Sequence, residues 1–218
     1  MKDAASMVFN NDVALKTIYT QKLVDNEIVL VNGELPSQLN NICENMFSTC
    51  TSLEFNNGTL TIPKNITSIG YGAFDENVKI DNIDFSQCEQ LVEIKNQAFR
   101  GCSGISTLNL PDTVTDLGDE AFQDCYNILY LHLSENTHSI GARCFSNTTL
   151  GATDSTATKF QYLYIPESVK TIGIGAFVNH QNLKELVIGC EQVSSTIGSC
   201  AFANCPSIVS ITFLWNAP

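Results

Sequence analysis

Seven phenylalanines recur along the 218-residue chain at intervals that share one underlying period. From one to the next the steps are 27, 25, 23, 23, 32 and 25 residues. A 23-residue unit with insertions of 4, 2, 0, 0, 9 and 2 residues accounts for all of them. Self-similarity at such a period predicts a solenoid in which each unit forms one coil. The seven are Phe47, Phe74, Phe99, Phe122, Phe145, Phe177 and Phe202.

The residues around each phenylalanine repeat as well. Isoleucine or leucine lies five residues before it and is usually followed by glycine, while cysteine lies three residues after it in four copies. The apolar residues of this half of the unit are three to five positions apart, which predicts a short helical or 3-10 turn. The glycines are interpreted as the residues of a tight corner. They are Gly70, Gly118, Gly141, Gly173 and Gly198.

The other half of the unit reads L-x-x-L-x-L, as in Ile105, Leu108 and Leu110. Its last two apolar positions alternate with polar ones, which predicts a short strand with one buried face. Pro111 then ends the strand, since proline has no N–H to donate to a ladder. One such coil buries too few side chains to offset the ordering of its residues, so its stability must depend on neighbouring coils.

The chain divides into two predicted regions. Residues 1–29 lie outside the repeat and are expected to form an N-terminal cap that contains a strand or a short helix. Residues 30–218 are expected to form the repeat domain, which begins with a half-coil at Leu35. The sequence stops in mid-coil after the seventh predicted strand. This favours either a fragment of a longer array or a partner that covers that end.

The unit L-x-x-L-x-L-P-x-x-V-x-x-L-G-x-x-A-F-x-x-C, read from Ile105 to Cys125, resembles the BspA-like, Treponema-type leucine-rich repeat. The resemblance extends from about Leu30 to Trp215. With the repeat count it implies an α/β solenoid, a right-handed leucine-rich-repeat coil of about seven repeats. A parallel sheet is expected on one face and short helical or 3-10 turns on the other. The resemblance further implies cell-surface or secreted proteins that adhere to host matrix proteins or to other cells.

A row of outward-pointing side chains is expected to cross the coils, because residues that flank the buried pair of each strand face solvent. Neighbouring strands lie about 4.8 Å apart, so four of these residues, on two strands predicted to be adjacent, form one aromatic patch. Tyrosine is enriched at interaction hot spots. The alternative is ordinary cross-strand pairing that stabilises an exposed sheet. The predicted binding residues are Tyr130, His132, Tyr162, Tyr164, Asn109 and Asp84.

The nine-residue insertion, within Ser146–Lys159, is rich in Ser, Thr and Gly and precedes this patch. A loop at that point is either a binding element or a tolerated surface excursion.

Four of the nine cysteines share the position three residues after phenylalanine, which predicts a buried column of small apolar side chains. Disulfides between coils are the alternative. The sequence contains neither a CxxC pair nor three potential ligands at a spacing typical of a metal site. The histidines are interpreted as solvated surface residues. The cysteines of the column are Cys50, Cys102, Cys125 and Cys205. The histidines are His132, His138 and His180.

Catalysis finds little support in the sequence. Solenoid glycosidases use paired carboxylates, but Glu34, Asp84 and Glu185 of the outward row are at least two coils apart. Two coils correspond to about 10 Å, at the edge of the separation used by inverting enzymes. No G-x-S-x-G, Walker A or G-x-G-x-x-G motif occurs. The chain is therefore predicted to be no enzyme and to need no cofactor or metal.

Charge restricts the partners. The chain carries 11 basic and 23 acidic side chains, a net charge of −12, which argues against nucleic acid because phosphate contacts need clustered Lys and Arg. The chain contains no run of 18 apolar residues, so the sequence predicts no membrane span. Its first residues contain no apolar stretch of signal-peptide length. The resemblance places the protein at the cell surface or outside the cell, whereas the missing signal leaves the cytoplasm open.

The sequence thus favours a non-catalytic module that binds a protein or a glycan through its sheet face, in an adhesin-type surface protein. An intracellular scaffold of the same fold is the first alternative, and a carbohydrate-active solenoid enzyme is the second.

Overall fold

Strands and hydrogen-bonded turns make up the regular structure of the residues that the computed structural model describes, which are 9–24, 27–148, 162–189 and 196–214. The first strands in the chain are β1 (Tyr19–Val24), β2 (Glu27–Asn32), β3 (Thr59–Thr61), β4 (Ser68–Ile69), β5 (Asn82–Asp84), β6 (Glu93–Ile94), β7 (Thr107–Asn109) and β8 (Asp116–Leu117). They are followed by β9 (Tyr130–His132), β10 (Ser139–Ile140), β11 (Tyr162–Ile165), β12 (Thr171–Ile172), β13 (Glu185–Ile188), β14 (Thr196–Ile197) and β15 (Ser210–Phe213).

From β3 onward the strands alternate between two sides of a parallel β-solenoid of about six turns. The longer strands form a four-stranded sheet, in the order β3-β5-β7-β9, and a three-stranded sheet, β11-β13-β15. The two-residue strands form a six-stranded sheet on the other side of the solenoid, in the order β14-β12-β10-β8-β6-β4. This sheet of short strands is called the second sheet. The count of seven repeats is not confirmed, because the copy around Phe47 joins the second sheet only through the isolated bridge Ile42↔Ile69.

The N-terminal part of the described chain packs on the first coil. β1 and β2 pair in an antiparallel hairpin. The predicted domain boundary after residue 29 falls within β2, and this boundary stays a prediction. The Phe9 ring stacks on Phe47 with centroids 5.5 Å apart, and the Phe9 amide donates to the Met46 carbonyl at 2.9 Å. This segment therefore extends the core of the solenoid by one ring.

The predicted column of phenylalanine rings is confirmed. Consecutive rings from Phe47 to Phe202 stack with centroids 5.2 to 5.6 Å apart and interplanar angles of 2° to 18°. The ring of Phe122 is fully buried between Phe99 and Phe145. Offset or near-parallel contacts of this kind add to the free energy gained from burial alone. Stacking of the rings in this column therefore helps to hold successive coils together.

The side opposite the long strands contains turns and the second sheet, and no helix occurs among the described residues. The prediction of helical or 3-10 turns is therefore not confirmed. In every copy the residues two before and two after the phenylalanine have positive φ, as at Glu120 (59°) and Asp124 (60°) around Phe122. Left-handed residues interrupt a right-handed helix. The apolar spacing that suggested a helix is instead met by two consecutive reversals of the chain.

The glycines that follow the isoleucine have a different role from the predicted one. None of them has positive φ, so a corner that needs left-handed backbone does not explain them. A Cβ built on Gly141 would overlap the backbone of Asp119 and Gly118 in the preceding coil. Gly118 and Gly173 face neighbouring backbone in the same way. Glycine is required here because successive coils approach each other backbone to backbone.

The last described coil leaves core positions open to solvent. Ile197 is 46% exposed and Ile211 52%, whereas the preceding residues in the same columns, Ile172 and Leu186, are 2% and 1% exposed. Apolar side chains at this end are covered on one side only, so they contribute less free energy of burial than their equivalents inside the array.

Candidate binding surface

Side chains that flank the buried positions of the long strands are paired from strand to strand within each of the two long-strand sheets. On the four-stranded sheet Thr61 pairs with Asp84 and Asn109 pairs with His132. On the three-stranded sheet Tyr162 pairs with Glu185 and Tyr164 with Val187. Side chains between these positions, such as Leu108 and Leu163, are buried. The sheet face is defined here as the outward side of both sheets.

The four aromatic candidates are divided between the two sheets. Tyr130 and His132 lie on β9, the last strand of the four-stranded sheet. Tyr162 and Tyr164 lie on β11, the first strand of the three-stranded sheet. Among the described residues no backbone ladder joins β9 to β11, although the second sheet is continuous there through β10 and β12. A single patch of all four residues stays a prediction.

Tyr162 and Tyr164 are the best-characterised part of this surface. The Tyr162 side chain is 47% exposed and Tyr164 is half-buried. Partial burial, together with the negative charge of Glu185, raises the pKa of the Tyr162 phenol. Partial burial, followed by the charges of Glu135 and Glu167, raises the pKa of Tyr164. Both phenols are therefore uncharged at neutral pH and lie beside carboxylates.

Asp84 and Asn109 line a separate groove where β5 and β7, the middle strands of the four-stranded sheet, end. The groove has a volume of about 530 Å³ and is bordered by Phe85 and Pro111. Asp84 is partly used within the protein, because its Oδ1 accepts a hydrogen bond of 2.8 Å from the Ser86 amide. Asn109 is exposed. These two candidates lie together, but on a part of the sheet face distinct from Tyr162 and Tyr164.

The carboxylates on the strands of the sheet face do not form a catalytic pair. Asp84 is on β5 of the four-stranded sheet and Glu185 on β13 of the three-stranded sheet, with the long strands β7, β9 and β11 between them in chain order. Inverting and retaining glycosidases hold their two carboxyl groups within about 9.5 Å. Glu34 follows β2 and lines a cavity of about 250 Å³ with Thr61.

No group of three or more His, Cys, Asp or Glu side chains in the described part of the chain could hold a metal ion. Most of the insertion that precedes Tyr162, residues 149–159, lies outside the described residues.

The position three residues after each phenylalanine forms a hydrogen-bonded ladder inside the solenoid. Cys102 Sγ donates to the Phe74 carbonyl at 3.0 Å, and Cys125 Sγ donates to Phe99 at 3.1 Å. In the second copy, one of three that lack cysteine here, Asn77 Nδ2 donates to the Phe47 carbonyl at 2.7 Å. In these copies the side chain thus satisfies a carbonyl of the preceding coil, whereas Thr148 Oγ1 donates to the Phe145 carbonyl of its own copy at 3.2 Å.

The cysteines of the described residues are free thiols. Burial raises the pKa of Cys88 to about 12 and also raises the pKa values of Cys102, Cys125 and Cys144. A thiol acts as a nucleophile only as the thiolate. These cysteines are therefore inert core residues, as the sequence predicted for the column.

His180 takes this ladder position in the sixth copy, and its interpretation as a surface residue is wrong. The side chain is completely buried, with Nδ1 3.4 Å from Thr148 Oγ1. Among the described residues, Nε2 has no hydrogen-bond partner. Burial lowers the pKa of His180 from 6.5 to about 4. The residues that replace cysteine at this position, Asn, Thr and His, can all form side-chain hydrogen bonds. This shared property was the feature of the sequence that could have indicated an inward position for His180.

We expect the buried histidine to make stability depend on pH. Between pH 6.5 and 4 the unfolded chain binds a proton at His180 that the folded chain does not, so stability is complete above this window and falls as pH decreases through it. The loss from pH 7.5 to pH 5 should be about 2 kcal/mol. Urea unfolding at both pH values measures it.

His180→Cys is the matched control, because cysteine occupies the same position in four copies. The difference in unfolding free energy between the two pH values should shrink by the amount assigned to His180. An equal pH dependence in both proteins would contradict this assignment.

The sequence profile of the BspA type leucine rich repeat region matches residues 16–151 and 154–216, in six copies. The chain belongs to the BspA-type leucine-rich repeat family. Among curated protein sequences, none matches the chain.

Solved structures show the same fold as this BspA-type chain. The leucine-rich repeat protein TpLRR of T. pallidum aligns with a TM-score of 0.65 and 21% identity, over 87% of each chain. A leucine-rich repeat protein of Bacteroides ovatus aligns at 0.52 and 20% identity, over 83% of this chain and 54% of that one. The pneumococcal vaccine antigen PcpA aligns at 0.52 and 23% identity, over 82% of this chain and 43% of that one.

In the part of the BspA-type chain that the structure describes, no helix has the length and apolar character needed to cross a lipid bilayer.

Proposed function

We propose that this BspA-type chain is a non-catalytic binding module that binds a protein or a glycan through its sheet face. Repeat solenoids present extended surfaces whose outward residues are free for recognition while the inward residues hold the coils together. The module would belong to an adhesin-type protein displayed at the cell surface or secreted.

One observation carries this proposal: a large aromatic side chain is exposed on a strand that is paired along its whole length. Tyr162 lies on β11, next to the fully paired strand β13, and is 47% exposed. Its neighbour Tyr164 points to the same face. A tyrosine on a strand brings a large contact area with few rotatable bonds, so little conformational entropy is lost when a partner binds.

The geometry of the acidic residues supports binding rather than hydrolysis. Asp84 and Glu185 are too far apart to act as acid and base on one glycosidic bond. The buried thiols are protonated at neutral pH and are enclosed in the core.

The surface location is supported by family membership and by one relative of the same fold, PcpA, which is a vaccine antigen of a pneumococcus. Antibody staining of intact, unpermeabilised cells tests the location directly. Staining only after permeabilisation would favour an intracellular scaffold.

We expect the double substitution Tyr162→Ala and Tyr164→Ala to reduce partner binding at least tenfold, because interface hot spots of this residue type contribute about 2 kcal/mol or more each. The wild-type chain is first applied to arrays of matrix proteins and of glycans, and the double variant is compared on every ligand that binds.

Tyr126→Ala is the control for this experiment, since Tyr126 is 53% exposed but lies in a turn outside the strands of the sheet face. It should bind like the wild type, and all variants should melt at similar temperatures. If the double variant bound as tightly as the control, the tyrosines would not form the binding surface.

A further inference from the structure

The outward side chains of β11 have the spacing of an extended peptide. Tyr162 and Tyr164 are two residues apart on one strand, which corresponds to about 6.6 Å. Side chains at positions i and i+2 of any extended segment have the same separation. β13 extends the surface sideways, because Glu185 is the register partner of Tyr162 and Val187 that of Tyr164. A segment lying along β11 can therefore place one side chain over each ring.

This surface has a negative electrostatic character. Asp84 and Glu185 are the charged groups at the outward positions of the long strands from β3 to β15, where no Lys or Arg occurs. Glu135 and Glu167 are exposed and lie close enough to Tyr164 to act on its phenol. Among the described residues, the lysines nearest to these strands along the chain, Lys170 and Lys184, lie outside β11 and β13. We name Tyr162, Tyr164, Glu135, Glu167 and Glu185 the tyrosine–glutamate surface.

Aromatic faces beside carboxylates are the chemistry that binds guanidinium and ammonium groups. A cation over a tyrosine ring is attracted by the ring quadrupole, and arginine stacks on such rings particularly well. A carboxylate at the edge of the ring can pair with the same cation. Anionic partners such as nucleic acids and sulfated glycans are repelled by the surface and by the net charge of −12.

We propose that the tyrosine–glutamate surface binds an extended segment of a partner protein with arginine or lysine at alternating positions. The inference rests on the proposed function and specifies its partner. One basic side chain lies over Tyr162 and pairs with Glu185, and the second lies over Tyr164 near Glu135 and Glu167.

The test uses two fluorescein-labelled peptides of the same composition, Arg-Thr-Arg-Thr-Arg-Thr and Arg-Arg-Thr-Thr-Arg-Thr, of which the second has no two arginines two positions apart, and measures Kd by fluorescence anisotropy with the full chain. The alternating peptide should bind at least fivefold more tightly, because only it can place two arginines over the two rings. Tyr162→Ala should weaken its binding at least tenfold, whereas Tyr162→Phe, which keeps the ring face, should stay within about twofold of the wild type.

Charge-matched variants separate this surface from general attraction to an acidic protein. Glu185→Gln and Glu44→Gln remove the same charge, but Glu44 lies in the turn region of the first copy, outside the long strands. Glu185→Gln should weaken binding of the alternating peptide at least threefold and Glu44→Gln less than 1.5-fold. Equal losses in both variants, or equal affinity for both peptides, would overturn the proposal.

Binding of a neutral glycan distinguishes failure of the partner assignment from failure of the binding-module proposal. If neutral glycans from the array bind in a manner that needs Tyr162 while the alternating peptide does not bind, the partner assignment fails and the binding-module proposal stands. If neither binds and no array ligand depends on the tyrosines, both fail. A melting curve for each variant verifies that it is folded.

Discussion

Replacing Gly141 with alanine should destabilise the protein by about 3 kcal/mol. The new Cβ would overlap backbone atoms of Asp119 and Gly118, and backbone of the neighbouring coil cannot move aside as a side-chain end can. Overpacking costs about 1–3 kcal/mol in well-packed cores, and a contact with backbone belongs at the upper end. Chemical denaturation of the variant and the wild type at pH 7.5 measures the loss.

Gly175→Ala is the control that separates steric overlap from backbone strain. Gly175 has φ of 62°, yet the nearest atoms to an added Cβ are 3.7 Å away. Its cost should therefore be the left-handed penalty alone, about 1 kcal/mol. A larger loss for Gly175→Ala than for Gly141→Ala would show that conformation, not coil-to-coil approach, is the reason for glycine at position 141.

Phe122→Ala should be the most damaging truncation of a side chain, at about 3–5 kcal/mol. The ring is fully buried and has ring neighbours on both sides, with centroids at 5.3 and 5.5 Å. Its removal leaves a cavity in the middle of the column, where the coils on either side are fixed by their own ladders and cannot close the gap. Urea unfolding monitored by circular dichroism measures the change.

Phe202→Ala tests the dependence on neighbours. Phe202 stacks on Phe177 with centroids 5.3 Å apart, but its ring is only partly buried. The loss in this chain should be less than half of that for Phe122→Ala, because the described residues place a ring on one side of Phe202 and rings on both sides of Phe122. Equal losses at both positions would mean that the stability is not distributed coil by coil.

The repeat made the core of this fold predictable from sequence. Phe99, Phe122 and Phe145 occur in phase because each ring must contact the next, and such a requirement leaves a visible period. The same logic gave the register of the strands, in which Asn109 lies beside His132. Insertions did not disturb the prediction, since they fall between the apolar positions that specify the column.

The turns could not be predicted in the same way. An apolar spacing of three to five residues suits a helical turn and a double reversal of the chain equally well. The residues that decide between them, such as Gln97, Glu120 and Arg143, adopt positive φ although their residue types do not favour it. Tertiary packing determines their conformation, and it acts from outside the local sequence.

The candidate surface was predictable in its orientation but not in its neighbours. Alternation along β11 gave the outward direction of Tyr162 and Tyr164. Glu135 and Glu167 occupy equivalent positions of the repeat, each two residues after the last apolar residue of its strand, but the strand alternation that orients the tyrosines does not continue into these loops. The break in the backbone ladder between β9 and β11, as seen in the described residues, could not be predicted either, because the residues of both strands are in phase with the repeat.

The division between inward and outward side chains has an evolutionary consequence. The column, the close-packed glycines and the internal ladder of Cys102, Asn77 and His180 hold one coil on the next from inside the solenoid, whereas the outward side chains of the long strands lie on the other face of the sheets. Substitutions on the sheet face can therefore accumulate at little thermodynamic cost. A lineage of such proteins could change its ligand repertoire quickly while retaining the same scaffold.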